Sequence, residues 1–70
     1  MKNNIRVERA IKKITQEELS RLVQVSRLTI NAIELGKYVP STLLSLKISK
    51  IFEKTVKDIF QLEESDWKES

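Results

Sequence analysis

The sequence predicts an all-α fold, a small bundle of five helices. Three observations predict it. Apolar residues recur at three- and four-residue spacing over most of the 70 residues, and Thr15, Ser26, Ser41 and Thr55 each stand as a cap just ahead of an apolar stretch. The chain also has only one glycine and one proline, so its loops must be short.

In chain order, Met1 to Asn4 is too short for a helix and is expected to add at most a brief strand. From Ile5 to about Lys13 the residues Val7, Ala10, Ile11 and Ile14 recur at helical spacing and are read as the buried face of the first helix. Thr15 with Glu18 forms a capping box, which satisfies two backbone N–H groups of the first turn and starts a second helix at Gln16. Leu19, Leu22 and Val23 give that helix its apolar face. Ser26 then caps a third helix, in which Ile30 and Ile33 are buried and which Gly36 ends.

Only Val23, Gln24 and Val25 separate these two helices. Such spacing is that of a helix-turn-helix, in which the first helix props the second so that its N-terminal half can enter a DNA major groove. Beyond Gly36 the loop Lys37-Tyr38-Val39-Pro40 leads to Ser41, the cap of a fourth helix over Thr42 to Phe52. Leu43, Leu44, Leu46, Ile48, Ile51 and Phe52 are too many for one stripe, so this helix is expected to be the most buried; Lys47, Lys50 and Lys54 mark its open side. Thr55 and Asp58 repeat the capping box for a fifth, short helix from Val56 to Phe60. The tail QLEESDWKES has no helical period, although it carries Leu62 and the single tryptophan, Trp67.

Length and composition bound the function. The chain is read as one domain over 1–70, a helical body at 5–60 followed by a tail at 61–70. A domain of this size buries only about 60% of its unfolded surface and gains from a partner. Without cysteine or histidine, disulfides and thiolate or imidazole zinc sites are excluded, and the usual nucleophile–base pairs lose their commonest members. No glycine-rich loop is present either, so neither an enzyme nor a cofactor is expected.

No apolar run reaches the length of a membrane span or signal peptide, which points to a cytoplasmic protein with no membrane partner. The net charge of +3 hides an asymmetry. Residues 1–57 carry twelve Lys and Arg against five Glu, whereas residues 58–70 carry Lys68 against five acids. A basic body suits a polyanion.

Taken together, Gln16, Val25-Ser26-Arg27, Thr29-Ile30-Asn31, Ile33-Glu34, Gly36-Lys37 and Pro40-Ser41 resemble the Cro and phage-repressor type of helix-turn-helix regulator, in its short stand-alone form. The resemblance covers roughly residues 5–60. It implies a homodimeric repressor on a palindromic duplex operator, without a small-molecule effector, and a small two-stranded antiparallel sheet made by the termini. Site residues follow position by position. Gln16 matches a glutamine that bonds a phosphate and steadies the recognition helix. Ser26 caps that helix beside a phosphate, and Arg27 is the residue expected to read guanine O6 and N7 through its planar fork.

Leu28 falls where relatives often carry a polar base contact, and here it is expected either to cover a thymine methyl or a sugar or to pack within the protein. Thr29 is assigned to phosphate and Asn31 to adenine N6 and N7. Lys37 and Tyr38 would reach the backbone across the groove, whereas Val39 removes a contact that relatives make. Arg9 and Glu34 match a shielded structural ion pair. Val56, Ile59, Phe60 and Leu62 are the candidate dimer seam. The alternative reading is a protein-interaction module, such as the antitoxin half of a toxin–antitoxin pair.

Overall fold

A computed structural model, described here for residues 1–68, contains strand β1 (Lys2–Asn3), helices α1 (Ile5–Lys12), α2 (Gln16–Val23), α3 (Arg27–Glu34), α4 (Thr42–Phe52) and α5 (Val56–Ile59), strand β2 (Phe60–Gln61) and a final 3-10 turn, Glu64–Trp67. The tail residues Glu69 and Ser70 lie outside the described residues. The fold is thus five helices with one two-stranded antiparallel sheet, in which Lys2 pairs with Gln61 and Asn3 with Phe60.

Local chemistry sets the helix boundaries. Thr15 accepts from the Glu18 N–H while the Glu18 carboxylate takes the Thr15 N–H, and Thr55 and Asp58 do the same at α5. Ser26 and Ser41 accept from the third N–H of α3 and α4. These bonds satisfy donors that the first helical turn leaves unpaired. At the other ends, Lys13, Gln24 and Glu53 adopt left-handed backbone angles, as Gly36 does at φ 74° after α3. In each of the first three the following N–H reaches back to a carbonyl of the last turn, as from Val25 to Ser20, and the chain reverses within two residues.

The core consists of Ile5, Leu19, Val23, Ile30, Ile33, Leu44, Ile48, Phe52, Ile59 and Phe60, with Met1, Ile14, Val25, Ile51 and Val56 packed around it. Helices α2 and α3 share the most extensive helix–helix contact. Two expectations need correction and one needs qualification. In α1 the inward face is Ile5 and Glu8, while Val7, Ala10 and Ile11 face solvent. Ile5 fills the core on that face, Glu8 beside it accepts a 2.7 Å bond from Lys54 Nζ, and neighbouring Arg9 reaches Glu34.

Helix α4 has more buried residues than any other helix, as expected, but it is not buried all round. Leu44, Ile48 and Phe52 enter the core, whereas Leu43 and Leu46 remain exposed, as Leu22 of α2 does across a shallow hollow. With five short helices there is no second layer to cover that side. Finally, Ile59 and Phe60 are buried inside the single chain, at 0% and 7% exposure. They complete the core beneath α5, so they are not surplus apolar surface for a dimer seam, while Val56 is half-buried and Leu62 is exposed.

No helix is long and apolar enough to cross a membrane. Among the described residues no group of three or more acidic side chains is disposed to hold a metal ion.

Candidate nucleic-acid interface

The two ends of α3 are built differently. At its start, Ser26 Oγ accepts from the Thr29 N–H at 3.1 Å and lies 3.0 Å from the Thr29 hydroxyl. This cap leaves the first amides of the helix pointing outward, a ready site for an anion because they add to the positive end of the helix dipole. Arg27 is exposed and makes no ion pair among the described residues. Leu28 beside it is 70% exposed. An exposed guanidinium beside an exposed apolar side chain, at the start of a helix, offers both a hydrogen-bond fork and an apolar contact to whatever docks there.

The far end is tied down. Arg9 Nε donates to Glu34 Oε2 at 2.7 Å and its Nη2 to Oε1 at 3.1 Å, a bidentate pair, while its Nη1 reaches the Ile14 carbonyl. The Glu34 side chain keeps only 6% of its surface exposed. Hydrogen bonding to Glu34 raises the Arg9 pKa above its ordinary value.

Gln16 Nε2 joins this cluster. It donates both to Glu34 Oε1 at 3.2 Å and to Asn31 Oδ1 at 3.1 Å. From the opposite side, Asn3 Nδ2 donates to the Ile33 carbonyl at 2.8 Å, capping the last turn of α3 from β1. The terminal sheet therefore fixes the angle at which α3 is presented.

Of the residues singled out in the sequence, Gln16, Ser26, Arg27, Leu28, Thr29 and Asn31 fall on or against α3, with Thr29 and Asn31 half-buried and Arg27 and Leu28 open. Lys37 and Tyr38 are exposed in the loop that follows, Tyr38 edging a hollow with Thr29, Ser41 and Lys47. Sequence reasoning missed three links. They are Asn3 to Ile33, Lys54 to Glu8, and Lys47 Nζ to Gln24 Oε1 at 3.1 Å beside the turn. Each joins residues more than twenty positions apart, and no local pattern signals such a pairing.

Residues 5–59 match a sequence family described as helix-turn-helix. Among curated relatives, an uncharacterized HTH-type transcriptional regulator of Methanocaldococcus jannaschii is 47% identical over 66 residues, covering 94% of this chain and 100% of its own length. A second, from Bacillus subtilis, is 48% identical over the same shares. A third, from Archaeoglobus fulgidus, is 42% identical over 94% of this chain and 93% of its own length. Families of this kind regulate and do not generally catalyse. The chain belongs to the Cro/C1-type helix-turn-helix family of DNA-binding transcriptional regulators.

Proposed function

We propose that the protein is a homodimeric repressor that occupies a palindromic operator in the cytoplasm and takes no small-molecule effector. The observation that carries this reading is the open first turn of α3, where unpaired Arg27 and bare Leu28 stand beside free helix-terminal amides. Arg27 is the base reader, donating to guanine O6 and N7, and Leu28 covers a neighbouring thymine methyl or sugar. Ser26, Thr29, Lys37, Tyr38 and the amides at the start of α3 hold phosphates and fix the register.

Dimerisation follows from reach. An eight-residue helix is about 12 Å long and fills a single groove, whereas selectivity requires two copies in grooves about 34 Å apart. The seam is assigned to Val56 and Leu62, extended by exposed Val39 and Leu46; Val39, Leu46 and Val56 edge one hollow whose floor includes Phe60. A selection of bound sequences from random duplex DNA tests the reading. It should return a palindrome with a guanine in each half-site, and recovery of no preferred sequence contradicts sequence-specific binding.

A second reading has its own observation. Leu22, Leu43 and Leu46 form an exposed apolar hollow with Ile51 on a side of the molecule that α3 does not use. This favours a protein partner, as in an antitoxin, and co-purification of a stoichiometric second protein would support it.

A further inference from the structure

We propose that the acidic tail of one protomer crosses onto its partner and seats Trp67 in the hollow between α2 and α4, so that the dimer is strapped twice. The proposal rests on the homodimer reading above and adds a second contact to its seam. Leu22, Leu43 and Leu46 line that hollow at 55%, 64% and 54% exposure, with Ile51 beside them and Lys47 and Lys50 as its charged residues. Its volume is about 380 Å³. So much contiguous apolar surface, rimmed by charge, marks a place where a partner sits.

The chain itself carries a segment of matching chemistry. Trp67, the only tryptophan, is 77% exposed and Leu62 63%, and between them stand Glu63, Glu64 and Asp66. Within its own chain the tail lies elsewhere: Glu63 edges a different hollow with Met1, Leu35 and Gly36, and no described residue of the tail borders the one between α2 and α4. Lys50 and Glu64 make no ion pair among the described residues, so each side brings an unmatched charge of opposite sign. Two observations favour a second copy over a foreign protein. Leu46 lines both this hollow and the one at the seam, so the two surfaces are continuous. A stable dimer also buries about 800 Å² on each partner, from roughly 20 or more residues, whereas the seam supplies four apolar side chains. A buried tryptophan adds about 150–250 Å², and a two-fold contact is made twice.

The fluorescence of Trp67 reports the contact directly, read beside sedimentation of the full chain. Emission is expected to be blue-shifted in the dimer and to reach the solvent-exposed value as dilution yields monomer. Leu43→Ser, a change outside the core, should give that exposed value where the wild type is dimeric and weaken dimerisation about tenfold, the scale of one interface anchor. Lys50→Glu should weaken it about threefold, and Lys50→Glu combined with Glu64→Lys should restore it. A wild-type dimer whose Trp67 emits as in water, or a blue shift that Leu43→Ser leaves intact, overturns the strap while the homodimer stands. A blue shift found only in species larger than a dimer, or only with a foreign protein bound, overturns it as well. A chain that stays monomeric removes the homodimer reading and the strap together.

Discussion

The first and last turns of α3 are separated by less than two helical turns, yet their chemistry is opposite. In the first, Arg27 and Leu28 are exposed, Arg27 without an ion-pair partner among the described residues, and the capped amides face outward. In the last, the groups that fix the helix are engaged: Glu34 takes Arg9 and Gln16, and the Ile33 carbonyl takes Asn3. A reading surface needs both. A side chain can discriminate between bases only if the backbone carrying it is held still, since a contact worth about 1–3 kcal/mol is lost when its geometry drifts.

The largest effect is expected at the held end. Arg9→Ala leaves Glu34 shielded with only Gln16 as donor, and breaking such a pair costs about 3 kcal/mol, the lower part of the usual range because Gln16 remains and Arg9 is not fully enclosed. Thermal or denaturant unfolding measures it, and an unchanged Tm would show that the pair does not hold α3. At the open end, Arg27→Ala should leave stability nearly unchanged and remove about 1–3 kcal/mol of preference for guanine at one position per half-site. Equal losses on specific and random DNA would reduce Arg27 to a phosphate contact and blur the contrast between the ends.

A smaller effect lies at α5, where hydrogen bonds from the Thr55 hydroxyl and backbone hold the Asp58 carboxyl below its ordinary range. A group whose folded pKa is depressed contributes stability above its unfolded value, near 3.9, and loses it as pH falls through the folded value. Stability should therefore be level above about pH 5 and decline below about pH 4. Asp58→Asn should flatten part of that decline in acid-unfolding curves, and an identical decline in the variant would remove Asp58 as a cause.

How much of this was legible in the sequence follows the same division between local and distant interactions. Helices α2 to α5 start where Thr15, Ser26, Ser41 and Thr55 announce them, because a cap acts within three residues. The exposure of Arg27, the proposed reader, was legible for the same reason, since it stands next to a cap. The face of α1 was not, since its inward residues Ile5 and Glu8 meet partners distant in sequence, Glu8 pairing with Lys54 46 positions away, while Val7 and Ile11 lie outward. Nor was the exposed side of α4, which depends on how many helices are available to cover Leu43 and Leu46. The seam at Ile59 and Phe60 failed because residues at the end of a short helix were judged surplus when the bundle's core reaches under them. The bond from Gln16 to Asn31 required knowing the crossing of α2 and α3, which no residue pattern encodes.

The central claim, that the open end of α3 docks on duplex DNA with phosphates on either side, is tested most directly by the salt dependence of operator binding. Each phosphate neutralised by a Lys or Arg adds about −0.9 to the slope of log affinity against log salt concentration. A steep linear slope is expected for the wild type on its palindrome, and a slope shallower by about 0.9 per protomer for Lys37→Ala, with the preferred sequence unchanged. A flat slope for the wild type would contradict the claim.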